Sequence, residues 1–241
     1  MFEYINKQWV AKLSASKLIN FDAFWDLPNK WFEEVNRRRN GWSGVITKTI
    51  GKDIVFVKKQ ENHNFKTWRH PFNGEPTFAR EFRNIQILNE NNINSLEVVF
   101  FGIKGNQCIL ATKDLNKEYQ SLENILKKDQ KIKLINLEKI ANALSLLHQK
   151  KIQHTYPLPK HIYINKKNQS VLFIDLEKMK KRTFRFQCSI RDLYSFLKFT
   201  ITTMNKEELD YFFKKYFKKS NPSLIAKYIR NKVLSKLKIK L

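Results

Sequence analysis

The chain has 241 residues, 42% of them apolar and 13% aromatic, so we expect a packed core and exclude wholesale disorder. Its 46 lysines and arginines outnumber 22 acidic residues, which gives a formal net charge of +24. A surface of this charge attracts nucleic acid, an anionic membrane or a phosphorylated substrate, and the charge alone does not choose among them.

The N-terminal residues and the apolar runs predict a chain that is neither exported nor membrane-spanning. The first 18 residues contain no long apolar stretch, so no secretory signal peptide is predicted. The longest apolar runs have the length of a strand, whereas a spanning helix needs about 20 apolar residues. We therefore expect a cytoplasmic protein whose membrane contact is peripheral. Cys108 and Cys188 are too few for a disulfide framework and are predicted to be reduced and buried.

The first half of the chain has the patterns of strands with one well-defined helix. Gly51, followed by Lys52 and Asp53, is typical of a hairpin turn between two strands. In chain order we predict an amphipathic helix over part of 21–36, a turn at 40–41, strands at 43–50 and 53–59, a loop at 60–77, a helix at 78–90, and strands at 97–103 and 107–113.

The second half is mostly helical. A buried helix is predicted up to His148, followed by a loop, two short strands at 161–165 and 171–175, and three helices with apolar faces. This order is that of an α+β, two-lobed protein-kinase-like fold, with an antiparallel sheet in the N-lobe and a mostly helical C-lobe. We place the lobes at 1–112 and 113–241.

Phosphoryl transfer from ATP needs a lysine on the phosphates, a glutamate that holds it, and a loop that covers the phosphates. Lys58 ends an apolar strand that resembles the Val-Ala-Ile-Lys strand of kinases, while Lys59 points to the opposite face. Glu81 opens the next helix and is predicted to reach back to Lys58. Gly41 and Gly44 lie just before the first strand and are candidates for the covering turn, with a plain hairpin entry as the alternative.

The candidate catalytic residues lie around two loops of the second half. Asp175 follows a short apolar strand, where kinases place their metal-binding aspartate, and Glu177 is a further ligand or a salt-bridge partner. His154 and His161 bracket a loop that resembles the His-Arg-Asp-x-x-x-x-Asn catalytic loop. In that alignment Tyr156 stands at the place of the proton-accepting aspartate. We assign His154, Tyr156 and Asp175 as the candidate catalytic set.

Three segments together resemble the InaA-type lipopolysaccharide kinases, relatives of the kinases that act on core heptose and Kdo. They are FVKKQENHNFKTWRHPFNGEPTFAREFRNIQIL at 56–88, LHQKKIQHTYPLPKHIYIN at 147–165 and FIDLEKMKKR at 173–182. The resemblance covers about residues 40–200. It implies a kinase with ATP and Mg²⁺ or Mn²⁺ as cofactors. The implied acceptor is a hydroxyl of a lipopolysaccharide core sugar, reached from the cytoplasmic face of the inner membrane of a Gram-negative bacterium.

The resemblance also implies roles for individual residues. Lys58 would bind phosphate, Glu81 would position it, Asp175 would bind metal, and His161 would take the second metal-side position. A basic run after Asp175 would grip phosphates of the core or of lipid A. This run consists of Lys178, Lys180, Lys181, Arg182 and Arg185.

One departure leaves other functions open. Tyr156 replaces the catalytic-loop aspartate, which favours a pseudokinase-like nucleotide-binding protein as the alternative. The last 36 residues carry 11 basic and 3 acidic side chains, which suits an anionic membrane surface as well as RNA. No helix-turn-helix, RNP or zinc-ligand pattern is present, so we expect no specific nucleic acid.

Overall fold

The structure is a computed structural model that describes residues 1–38, 40–67, 70–218 and 223–238. The chain forms two compact units. The first contains residues 1–86 and 96–115, and the second contains residues 87–95 and 116–241. Our sequence-based lobes meet at 112 and 113, whereas the units divide between Leu115 and Asn116.

The first unit is built on an antiparallel sheet that has six strands in the described part of the chain, in the order β1-β7-β8-β4-β3-β2. A separate two-stranded ribbon consists of β5 and β6. The strands are β1 (Phe2–Ile5), β2 (Asn36–Arg38), β3 (Gly41–Ile50), β4 (Asp53–Glu61), β5 (Asn64–Thr67), β6 (His70–Pro76), β7 (Val98–Lys104) and β8 (Gln107–Lys113). The helices are α1 (Val10–Ala15), α2 (Phe21–Trp25) and α3 (Thr77–Glu90), of which residues 77–86 belong to this unit.

The second unit is mostly helical. It contains α4 (Leu122–Asp129), α5 (Leu134–Gln149), α6 (Arg185–Thr200), α7 (Lys206–Phe217) and α8 (Leu224–Lys236). Its short strands are β9 (Tyr119–Ser121), β10 (Ile152–Gln153), β11 (Ile162–Asn165), β12 (Val171–Phe173) and β13 (Lys180–Lys181). The predicted helical spacing in α5 is confirmed, because Leu137, Ile140, Leu144 and Leu147 are all buried. This helix packs against α6 and α7, and α6 packs against α8.

The hairpin of β3 and β4 fixes which side chains share a face of the sheet. Its turn has Gly51 at a φ of +61°, a conformation that favours glycine, as the sequence pattern predicts. In the resulting register Val45 pairs with Lys58 and Gly44 pairs with Lys59. Because side chains alternate along a strand, Lys58 and Gln60 lie on one face and Lys59 on the other.

The N-terminal segment covers the face of the sheet that carries Lys59. Trp9, Leu13 and Phe24 are buried in one cluster with sheet residues such as Val57 and Phe100. The Phe24 and Phe100 rings stack with centroids 4.4 Å apart. Cys108 and Cys188 are buried free thiols, as predicted.

One prediction is confirmed and another is wrong. Part of 21–36 is helical, at Phe21–Trp25, and the helix goes no further because Pro28 disfavours it and the chain then runs beside β3. There the Phe32 amide donates to the carbonyl oxygen of Val45 at 2.7 Å. The loop at 60–77 contains the β5–β6 ribbon, whose polar sequence lacks the alternation that marks a strand.

Lys59 is a buried lysine that ties the N-terminal segment to the sheet. Its side chain is 1% exposed and donates to the carbonyl oxygens of Trp25 and Leu27, both at 2.7 Å, and to Asn29 Oδ1 at 3.0 Å. Burial lowers the pKa of Lys59 to about 8, and the charge of Asp26 opposes this shift.

The stability of the protein should therefore depend on pH through Lys59. An unfolded lysine keeps its proton up to a pKa near 10.5, whereas the folded one loses it near pH 8. Between these values folding releases a proton, so raising the pH favours the folded state. We expect the stability of wild type relative to Lys59→Met to rise by about 2 kcal/mol between pH 7 and pH 9.5. Urea unfolding of wild type and Lys59→Met at both pH values measures this rise. A stability difference between the two proteins that is the same at pH 7 and pH 9.5 would contradict the prediction.

Candidate active site

An ion pair joins the predicted phosphate-binding lysine to the predicted glutamate. Lys58 Nζ lies 2.8 Å from Oε1 and 2.7 Å from Oε2 of Glu81. The Glu81 side chain is 3% exposed, whereas that of Lys58 is 21% exposed. The buried carboxylate therefore fixes a lysine whose ammonium still reaches solvent, which suits a phosphate-binding group.

A second residue of β4, which the sequence analysis missed, anchors the start of α3. Gln60 is fully buried, and its Oε1 accepts from the Thr77 hydroxyl at 2.7 Å and from the Phe78 amide at 2.9 Å. Its Nε2 donates to the carbonyl oxygen of His63 at 2.9 Å. Strand β4 thus holds α3 at its first turn and again at Glu81. The signal in the sequence is the two-residue spacing, which puts Gln60 on the same face as Lys58.

The two candidate ATP-binding glycines do not lie before the first strand, so that part of the prediction is wrong. Both lie within β3. A Cβ atom on Gly44 would lie 2.5 Å from a ring carbon of Trp31, and one on Gly41 would overlap the backbone of Glu61 and Asn62. Close packing explains both glycines. Arg39, between β2 and β3 in the sequence, lies outside the described residues.

Replacing Gly44 with alanine tests whether this glycine is needed for packing. The added methyl group must displace the Trp31 ring, so we expect the free energy of unfolding to fall by about 1–3 kcal/mol. Chemical denaturation measures this loss, and a nucleotide titration of the same variant provides the comparison. Unchanged stability with weaker ATP binding would instead make Gly44 part of the phosphate loop.

In the second unit, Asp175 and His161 lie side by side. Asp175 Oδ2 is 3.3 Å from His161 Nε2, and the Asp175 side chain is 44% exposed. Its backbone is left-handed, with a φ of +59°, a conformation that aspartate tolerates better than most residues. His161 Nδ1 lies 3.0 Å from the carbonyl oxygen of Tyr156, an acceptor, so this nitrogen carries the proton. In the neutral ring, Nε2 therefore presents a lone pair to the carboxylate.

This donor set fits a divalent cation that arrives with nucleotide phosphates. Two acceptor atoms in contact are held together by a cation or by a proton, and Asp175 and His161 provide such a pair. Within the described ranges no group of three His, Cys, Asp or Glu side chains is arranged to hold a metal ion. Mg²⁺ is commonly bound by one or two carboxylates and substrate phosphates, so the sparse set is compatible with it.

His154, predicted as catalytic, lies in the interior of the unit. It is 1% exposed, and its Nε2 donates to the carbonyl oxygen of Ile174 at 3.0 Å. Burial lowers the pKa of His154, so its ring is neutral. Its ring packs edge-on against Phe173. Because a buried ring does not reach a substrate, His154 positions the residues before Asp175.

Asp192 on α6, which the sequence analysis did not identify, anchors the candidate catalytic loop. This fully buried carboxylate accepts from the backbone amides of His154 at 2.7 Å and Thr155 at 2.8 Å. It also lies 3.0 Å from His148 Nε2. Two of these charge-assisted contacts fix the backbone of the loop, and the third joins the carboxylate to α5. No local pattern distinguishes Asp192 from the other polar residues of an amphipathic helix.

The candidate substrate-binding cations differ in their surroundings. Arg182 Nε donates to Gln153 Oε1 at 2.7 Å, and Arg185 donates to Ser145 Oγ at 3.3 Å, so both contact the interior of their own unit. Lys178, Lys180 and Lys181 are exposed. Lys178 lies beside the ring of Tyr156, the residue at the catalytic-aspartate position.

Comparisons with known proteins agree with the kinase arrangement. Residues 22–216 match the family model described as the lipopolysaccharide kinase (Kdo/WaaP) family. Protein InaA of Escherichia coli (strain K12) is 29% identical over 181 residues, which cover 71% of this chain and 83% of that protein. A solved structure of WaaP in complex with acyl carrier protein is similar with a TM-score of 0.70 and 15% identity. It covers 99% of this chain and 97% of that chain, which confirms the predicted two-lobed, kinase-like α+β fold. The chain therefore belongs to the lipopolysaccharide kinase (Kdo/WaaP) family and is a kinase.

Proposed function

We propose that this kinase transfers the γ-phosphoryl group of ATP to a sugar hydroxyl of the lipopolysaccharide inner core, on a heptose or Kdo residue. The observation that carries the proposal is the Lys58–Glu81 ion pair in a chain of the lipopolysaccharide kinase family. Such a pair positions a cation for ATP phosphates in kinases. In this proposal Lys58 binds phosphate, and Asp175 with His161 would hold Mg²⁺ or Mn²⁺, whose positive charge would oppose the negative charge of the phosphates.

Tyr156 motivates a second candidate function. A phenol at the place of the catalytic-loop aspartate is a poor proton acceptor at neutral pH. A loose phosphoryl-transfer transition state needs little help from a base, so the kinase function remains our first choice. The alternative is a protein that binds nucleotide without transferring phosphate.

Phosphate transfer from labelled ATP separates the two candidates. Wild type and Asp175→Asn are incubated with purified lipopolysaccharide that lacks its outer core, with Mg²⁺ and with Mn²⁺. We expect label in the glycolipid from wild type and loss of at least about 100-fold in the variant. ATP binding without label, on heptose-terminated and Kdo-terminated acceptors, would favour the second candidate.

We also propose that the protein acts at the cytoplasmic face of the inner membrane as a peripheral protein. No helix in the described residues has the length and apolarity to cross a bilayer. At the start of α8, Leu224, Ile225 and Tyr228 are more than half exposed, and Lys227 and Lys232 are exposed nearby. Apolar side chains beside lysines suit the interface of an anionic membrane.

Liposome flotation tests the membrane proposal. Vesicles with anionic lipid should carry wild type to the top of a density gradient, and Leu224→Glu with Ile225→Glu should reduce this recovery several-fold. Vesicles of neutral lipid are the control for charge. Equal recovery of wild type and variant would reject α8 as the contact.

A further inference from the structure

Two cations flank the aromatic ring at the catalytic-aspartate position. Lys178 Nζ lies 5.1 Å and the guanidinium carbon of Arg191 lies 5.2 Å from the centroid of the Tyr156 ring. Tyr156 is 38% exposed, and both cationic side chains are exposed. Arg191 lies on α6 and is not part of the basic run that the sequence predicts. The three side chains form one exposed group, which we call the Tyr156 cluster.

The backbone beneath the Tyr156 cluster is fixed. The Tyr156 carbonyl oxygen accepts from the Leu158 amide at 2.8 Å and lies 3.0 Å from His161 Nδ1. The Thr155 hydroxyl donates to the carbonyl oxygen of Lys178 at 3.0 Å. Arg191 precedes Asp192, whose carboxylate binds the amide of Thr155. The loop, the segment with Lys178 and helix α6 thus hold the cluster together.

The positive charge of the cluster is only weakly compensated. Lys178 Nζ is 3.7 Å from a Glu177 carboxylate oxygen, and Arg191 forms no ion pair within the described residues. The Tyr156 ring attracts cations through its face but carries no charge. An aspartate at this position would attract both cations and lower the summed charge of the three side chains from about +2 to about +1. The tyrosine therefore keeps two cations together and leaves their charge available to an external anion.

We propose that the Tyr156 cluster binds an anionic substituent of the acceptor, a phosphate or a carboxylate, beside the hydroxyl that receives phosphate. The guanidinium of Arg191 suits a planar carboxylate or two oxygens of a phosphate, and Lys178 adds a point charge. This inference rests on the proposed function and goes beyond it. It makes an acceptor that bears a charged group the preferred substrate class and makes Arg191 a specificity-determining residue.

Equilibrium binding of a water-soluble acceptor tests the inference without requiring turnover. The probe is the deacylated inner-core oligosaccharide, titrated by calorimetry into the full chain in the absence of ATP. One sample is untreated, a second has its phosphates removed with hydrogen fluoride, and a third has its carboxylates reduced. We expect wild type to lose roughly tenfold in affinity for one treated sample, which identifies the anion.

Single variants test whether the preference of wild type for the anionic oligosaccharide comes from the Tyr156 cluster. Arg191→Gln, Lys178→Gln and Tyr156→Asp should each bind the untreated sample roughly tenfold more weakly and discriminate less than about twofold between samples. Tyr156→Phe should keep the wild-type preference, because the ring and both cations remain. The matched control is Lys198→Gln, which removes an exposed cation two turns further along α6 and should bind as wild type does.

The results separate this inference from the proposed function. Equal binding of all three samples by wild type, or a preference that survives Arg191→Gln, would overturn the Tyr156 cluster as an anion site. A loss in Lys198→Gln as large as in Arg191→Gln would also overturn it, since nonspecific charge would then explain binding. If the anion preference depends on the Tyr156 cluster but no phosphate is transferred from ATP to this acceptor, the inference is supported and the proposed transfer to the inner core is rejected.

Discussion

Replacing Asp192 with asparagine should lower the free energy of unfolding by about 3 kcal/mol. The buried carboxylate accepts from two backbone amides and lies against His148, whereas an asparagine side chain offers a single acceptor oxygen. Its amide group would face a backbone N–H that has lost its partner. Those amides belong to His154 and Thr155 of the catalytic loop. The loop should therefore become less ordered in the variant, and phosphate transfer should fall as a result. Urea unfolding and the labelled-ATP assay measure the two effects.

Ser195→Ala on the same helix is the matched control. The Ser195 hydroxyl donates to the carbonyl oxygen of Thr155 at 3.3 Å, so this variant removes a neutral contact with the same loop. We expect it to cost about 1 kcal/mol and to leave transfer nearly intact. Equal losses in Asp192→Asn and Ser195→Ala would contradict the role of the carboxylate.

Replacing Lys58 with methionine should abolish an effect of ATP that the same replacement of its neighbour Lys59 should preserve. Lys58→Met should abolish the stabilisation of the protein by ATP and reduce phosphate transfer by at least about 100-fold, because it removes the phosphate-binding cation. It also leaves Glu81 buried and unpaired, at a cost of about 3 kcal/mol. Lys59→Met should keep the stabilisation by ATP, since Lys59 lies on the other face of the sheet. Thermal unfolding with and without ATP measures the difference.

A double variant separates the two losses caused by Lys58→Met. Adding Glu81→Leu removes the unpaired carboxylate, so stability should largely return while phosphate transfer stays lost. Recovery of transfer in the double variant would show that Lys58 has no role beyond pairing with Glu81.

The sequence identified the local features that depend on neighbours a few residues apart. Apolar spacing predicted α5 and the three helices after it, and the glycine-containing turn predicted the β3–β4 hairpin. Alternation along β4 correctly predicts that Lys58 and Lys59 lie on opposite faces of the sheet. These predictions succeeded because each element buries one face, which leaves a period in the sequence.

The features that the sequence did not predict depend on partners distant in sequence. The helix predicted for part of 21–36 ends at Trp25, because the following residues run beside β3. Gly44 was predicted to lie before the first strand, whereas it lies within β3, where its lack of a Cβ atom makes room for the ring of Trp31. Neither the pairing of the residues after Trp25 with β3 nor the packing of Trp31 against Gly44 can be predicted from the residues next to these positions in the sequence.

The sequence by itself determined the family resemblance, the kinase-like order of elements and the candidate residues Lys58, Glu81 and Asp175. Motif spacing and side-chain periodicity are properties of the chain, so they can be read without a fold. Only the tertiary structure showed that Asp192 binds the loop of His154, 38 residues earlier in the chain. Only it placed Arg191 beside Tyr156, because hydrogen bonds and cation–ring contacts depend on distances in space.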